Sequence, residues 1–131
     1  MLKTKKGNVF SVIIIFIVLS CSGVEKQQDK PLKKVSINMV THGQSTDPFW
    51  SVVSNGAKDA AKELGIDFYY QSPQNFDMIT MSQIIDAVVS TNPDGIIVSV
   101  PDVAALKKSI LAASKKNIPI IVINAGSEIM E

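Results

Sequence analysis

Residues 34–40 set Val35, Ile37 and Met39 against Ser36 and Asn38, a two-residue period that predicts a first strand. After a loop over 41–46, Asp47 and Pro48 read as the N-cap and first residue of a helix. Phe49, Val53, Ala57, Ala60, Ala61 and Leu64 then recur at helical spacing up to a Gly65 cap. In residues 66–71, Ile66, Phe68 and Tyr70 alternate with Asp67, Tyr69 and Gln71, the pattern of an edge strand solvated on one face. A second helix from near Asp77 carries Met78, Met81, Ile84, Ile85, Val88 and Val89 on one stripe, and Asn92, Pro93, Asp94 and Gly95 end it. Residues 95–100 are nearly all apolar, as a central strand buried on both faces requires. Pro101 and Asp102 open a third helix with Val103, Leu106, Ile110, Leu111 and Ala113, ended by Asn117. Residues 118–123 predict a fourth strand, again buried on both faces.

Strands and helices thus alternate, which predicts an α/β fold: an open parallel sheet with helices on both faces. With the half-polar second strand at an edge, the expected order is 2-1-3-4, and the order reverses between the first and third strands.

The amino terminus has a different pattern. Lys3, Lys5 and Lys6 precede the apolar run 9–19, the layout of a signal peptide. The run has about half of the roughly 20 apolar residues that a membrane-spanning helix needs. It stops at Val18, Leu19, Ser20 and Cys21, followed by Ser22 and Gly23. These residues resemble a bacterial lipobox, with Leu19 bulkier than the usual Ala or Ser. Cys21 is the only cysteine, so it makes no internal disulfide, and diacylation at this boundary accounts for it. Residues 24–34 are polar and aperiodic. The expected organisation is therefore a lipoprotein signal peptide over 1–20, a flexible tether over 21–34 and an incomplete lobe over 35–131.

Charge narrows the function. The chain carries +1, and without Lys3, Lys5 and Lys6 it falls to about −2, so there is no basic footprint for nucleic acid. It contains no arginine, so no guanidinium fork for carboxylate or phosphate is available, and a neutral ligand is favoured. The loop after the first strand has one glycine, Gly43, where a dinucleotide fingerprint needs several. No nucleophile, base and orienting acid come together, no metal-ligand set occurs, and no cofactor is expected.

In such a sheet a ligand sits beyond the carboxyl ends of the strands where the order reverses. Asp47 and Asn124 there can each engage two hydroxyls, Ser99 can donate or accept, and Phe49 or Trp50 can cover an apolar ring face. The last two point about 100° apart, which predicts one in the core and one in the cleft, with Phe49 as the stacking ring. Asp102 is a further candidate. Both it and Asp47 are also good helix caps. His42, the only histidine, reads as a loop residue.

Residues 35–40, Asp47 to Trp50, 93–99, Pro101 with Asp102, and 118–124 together resemble the amino-terminal lobe of the type I periplasmic sugar-binding proteins. The resemblance covers essentially all of 35–127. It implies the solute-binding component of an ABC importer, two α/β lobes joined by three crossings and closing on a sugar or sugar-like polyol. It also implies an ABC permease as membrane partner, a monomer, and a place in the cell envelope. Asp47 and Phe49 match the family's acid and stacking aromatic, and Ser99 and Asn124 match ligand-facing positions after the third and fourth strands. Half of the contacts would then come from a second lobe beyond Glu131. Two alternatives stand beside this: a sensor that docks on a membrane receptor, and a nonfunctional gene fragment. A sugar-responsive repressor shares the lobe fold, but an export signal stands where its DNA-binding helices would be.

Overall fold

The computed structural model describes residues 33–44 and 46–126. The expected signal peptide, the lipidation residue Cys21 and all but the last two residues of the tether lie outside the described residues, as does the chain from 127 onward. Among the described residues seven elements alternate in chain order: β1 (Ser36–Val40), α1 (Pro48–Leu64), β2 (Asp67–Gln71), α2 (Met78–Ser90), β3 (Gly95–Val98), α3 (Val103–Lys115) and β4 (Ile120–Val122). The four strands pair in parallel in the order β2-β1-β3-β4, so the order reverses between β1 and β3 as expected.

Local chemistry explains where each helix begins. The Asp47 carboxylate accepts the N–H groups of Phe49 and Trp50, Asp77 those of Ile79 and Thr80, and Asp102 that of Ala105. Each cap satisfies donors that have no partner inside the helix, and contributes about 1 kcal/mol. At its other end α1 stops on Gly65, whose φ of 66° lies in the left-handed region that glycine adopts without a side-chain penalty. Asp94 performs a similar service for the sheet. Its Oδ2 accepts the Ser36 N–H at 2.8 Å and its Oδ1 accepts from Lys33 Nζ at 3.3 Å, tying the start of β1 to the turn before β3. The Ser36 bond first, then Lys33, holds the Asp94 carboxyl below the usual carboxylate range.

The two faces of the sheet are covered unequally. On one, Val40, Ile96 and Val98 pack under Met81, Ile85, Val88 and Val89 of α2 and Leu106, Ile110 and Ala113 of α3, which together form the buried core. On the other face, among the described residues, α1 is the packed helix, and it lies toward β2. Ile37, Phe68, Ile97 and Ile121 border an apolar groove of about 330 Å³ whose other wall is Ala57, Ala60, Ala61 and Leu64 of α1. The expectation that the fourth strand is buried on both faces is therefore corrected: Ile121 is 61% exposed, because no helix among the described residues covers that side of β4. Burial of α1 also departs from the expected stripe. Trp50, Ser54 and Ala61 face inward, while Phe49 and Leu64 are exposed, so the helix is rotated by about one residue from the predicted face.

Candidate functional site

The carboxyl ends of the strands hold the loops in place through the continuing ladder. Thr41 N donates to Gln71 O at 3.2 Å, Ser99 N to Val40 O at 3.1 Å, and Val100 N to Ala125 O at 2.9 Å. Thr41 is fully buried; its hydroxyl bonds Tyr70 Oη at 2.7 Å and donates to Gly43 O at 3.1 Å. The β1–α1 loop is thereby tied to edge strand β2. Beyond it opens a crevice of about 560 Å³ lined by His42, Gly43, Gln44, Thr46, Asp47, Trp50 and Phe76. That volume lies in the range of small-molecule sites. The crevice shares Gln44 and Thr46 with a second hollow, bounded by Ser72 to Asn75, along the β2–α2 loop.

Aromatic rings form one wall. His42 meets Trp50 edge-on at 5.2 Å between ring centroids and meets Phe76 edge-on at 5.9 Å, both within the favourable range for such pairs. Gly43 makes this possible: a Cβ there would lie 1.8 Å from Trp50 Nε1. Polar groups form the rest. Both capping bonds of Asp47 fall on Oδ1, and Oδ2 makes none among the described residues. Behind the rings, Ser99 Oγ accepts the His42 backbone N–H at 2.9 Å and bonds His42 Nδ1 at 2.8 Å. Partial burial holds the His42 pKa below its usual value, which favours the neutral ring.

Of the candidate residues, Asp47 and Trp50 line the crevice, with Trp50 only 5% exposed. Phe49 is 54% exposed and packs edge-on against Trp50 at 5.0 Å, on the crevice's flank. Ser99 is fully buried, with its hydroxyl engaged by His42. Asp102 caps α3, accepting from Ala105 N at 3.0 Å. Asn124 takes a left-handed φ of 63° in a separate hollow with Val122, Ile123, Ala125 and Gly126. His42, Gln44, Thr46 and Phe76 stand at the crevice without having been singled out as ligand residues. Phe76 left a signal, an aromatic in the loop that follows an edge strand. For His42 the partner lies 57 residues away, and nothing local to the loop announces it. Among the described residues no group of three or more His, Cys, Asp and Glu side chains could hold a metal.

A parallel sheet whose order reverses between β1 and β3, with a mixed aromatic and polar crevice at its carboxyl edge, is the arrangement of an open α/β lobe with room for a small ligand. The chain belongs to the periplasmic binding protein domain family, whose model matches residues 37–131. No curated protein matches it significantly. Among solved structures it is similar to an ABC sugar transporter periplasmic sugar-binding protein from Legionella pneumophila (34% identity, TM-score 0.68, covering 71% of this chain and 34% of that one). A carbohydrate transporter from Acidothermus cellulolyticus 11B, solved with myo-inositol, is similar at 33% identity and TM-score 0.67, covering 73% and 33%. A glucose-galactose binding protein from Geobacillus stearothermophilus shares 29% identity at TM-score 0.68, covering 72% and 34%. The chain spans about a third of the length of these relatives.

Proposed function

We propose that this chain is the first lobe of the solute-binding component of a bacterial ABC importer, and that it captures a neutral sugar or sugar-like polyol. The observation that carries the reading is the crevice at the carboxyl edge of the sheet, between the β1–α1 and β2–α2 loops, where the Asp47 carboxylate and the rings of Trp50 and Phe76 share one opening. A carboxylate oxygen with no partner among the described residues suits a hydroxyl donor, and an aromatic wall suits the apolar face of a pyranose or cyclitol. The sugar-binding relatives support the same ligand class. In this reading the second wall belongs to the part of the protein that those relatives have in addition, and the closed pair docks on a membrane permease. Phe49 extends the wall, and Asn124 and Asp102 reach the ligand from the neighbouring loops when the lobes close.

The leader and Cys21 complete the proposal. Residues 1–20 direct export, Cys21 carries the lipid, and 21–34 tether the lobe to the membrane surface in the cell envelope. The anchor needs more than one acyl chain, since a single chain binds only marginally.

A complete two-lobed site of about micromolar affinity corresponds to roughly −8 kcal/mol, and one wall supplying half of that leaves a Kd of about a millimolar. The test is a map of backbone amide shifts in the ¹⁵N-labelled 131-residue chain as myo-inositol, D-glucose or D-galactose is raised to hundreds of millimolar. Saturable shifts confined to the β1–α1 loop, Trp50 and Phe76 support the proposal. Shifts spread over the surface, or none, refute it.

A further inference from the structure

The crevice contains one side chain whose hydrogen-bonding role is fixed from behind. Ser99 Oγ is fully buried and has two bonding partners among the described residues, the backbone N–H and the Nδ1 of His42. The N–H is a donor and occupies one lone pair. The hydroxyl then has one proton to place, and the acceptor it meets among the described residues is Nδ1. Were Nδ1 protonated it would donate to Oγ, and the Ser99 hydroxyl proton would be left buried with no acceptor, at a cost of about 1–3 kcal/mol. The imidazole proton therefore belongs on Nε2.

Nε2 has no partner among the described residues, and no buried side-chain nitrogen or oxygen there lacks one, so Nε2 is open to solvent. His42 is one of the residues that line the crevice. The ring plane is set by three constraints: Ser99 on Nδ1, the edge contact with Trp50 and the edge contact with Phe76.

We propose that His42 is a ligand-contacting residue of this lobe, presenting a fixed Nε2–H donor to a hydroxyl oxygen of the bound polyol, and that Ser99 is the positioning residue that selects this tautomer. The inference rests on the sugar-binding reading for the nature of the ligand, but the tautomer does not. His42 and Asp47 then form a complementary pair on the crevice wall. One donates to a hydroxyl oxygen and the other accepts a hydroxyl proton. Two hydroxyls of one ring match this pair, whereas an alkyl ligand leaves both unpaired, so the pair selects for polyols. Ser99 acts through His42 and does not touch the ligand.

The experiment is a two-bond ¹H–¹⁵N correlation spectrum of the 131-residue chain at pH 7.5, clean because His42 is the sole histidine. The expected spectrum has one pyridine-type nitrogen, Nδ1, and one pyrrole-type nitrogen, Nε2. In Ser99→Ala both nitrogens move toward averaged shifts, and Ser99→Thr restores the wild-type pattern. A wild-type spectrum showing Nδ1–H or a mixture overturns the positioning role without needing any variant, as does an unchanged tautomer in Ser99→Ala. Adding myo-inositol to hundreds of millimolar is expected to shift Nε2 saturably, and His42→Ala to weaken binding about 5- to 10-fold, with His42→Gln recovering part of the loss. Saturable shifts at Asp47 and Trp50 but none at His42 overturn its ligand role while leaving the sugar reading intact. No saturable shift anywhere overturns the sugar reading and the ligand role together, while the sugar-free spectrum still decides the part played by Ser99.

Discussion

Gly43→Ala tests the packing that gives the crevice its aromatic wall. The added Cβ would sit 1.8 Å from Trp50 Nε1 and 1.9 Å from Trp50 Cδ1, so the ring or the loop must move. The backbone does not forbid alanine, since Gly43 is not among the residues with positive φ. Reduced freedom of the unfolded chain favours the variant by about 0.4–1 kcal/mol. Against this stands the cost of overpacking, about 1–3 kcal/mol. Complete expulsion of the indole would forfeit about 200 Å² of burial, roughly 5 kcal/mol at about 25 cal/mol per Å², so a local shift is the cheaper response. The net expectation is a destabilisation of about 1–2 kcal/mol. Trp50 is the sole tryptophan and is 5% exposed, so its emission reports both the ring's environment and unfolding. With a urea slope of about 1–2 kcal/mol per molar, the midpoint should fall by about 1 M, and native emission should move to the red. A variant with the wild-type midpoint and emission would refute the contact.

The unequal cover of the sheet predicts that Leu106→Ala, at a fully buried position, costs about 2–5 kcal/mol, whereas Ile121→Thr on the uncovered face of β4 stays within about 0.5 kcal/mol in urea unfolding; equal effects would contradict the assigned faces. Asp94 has a folded-state pKa below its unfolded value of about 3.9. Its contribution is therefore present above that value and is lost as pH falls through the lower folded one. Asp94→Asn should lower Tm at pH 7 and should narrow its gap to wild type below about pH 4, by thermal scans across pH; a gap that widens with acid would reverse the sign. For the anchor, Cys21→Ala should abolish incorporation of labelled palmitate in cells, and unchanged labelling would eliminate the lipobox.

Much of the fold was legible because its signals are local. The two-residue alternation, the caps at Asp47, Asp77 and Asp102 and the stop at Gly65 each involve neighbours within a few residues, and they give the element order directly. The strand order followed from the half-polar face of β2. What escaped depends on distant partners. Which face of α1 turns inward was ambiguous because Phe49 and Trp50 are adjacent aromatics, and the sheet chose Trp50. The exposure of Ile121 follows from where α1 lies, which the apolar run of β4 does not encode. In the site, Asp47 was readable from its position after β1, whereas the roles of His42 and Ser99 emerge only when residues 57 apart are brought to 2.8 Å.

The central claim, that this lobe supplies one wall of a polyol site, is tested most directly by calorimetric titration of the 131-residue chain with myo-inositol, D-glucose and D-galactose, alongside Asp47→Asn, which keeps the helix cap but turns the crevice-side acceptor into a donor. The predicted result is weak saturable heat with at least one of them, a Kd of about a millimolar, further weakened in Asp47→Asn. Absence of saturable heat with all three would contradict the sugar site, and micromolar binding would contradict the division of that site between two lobes.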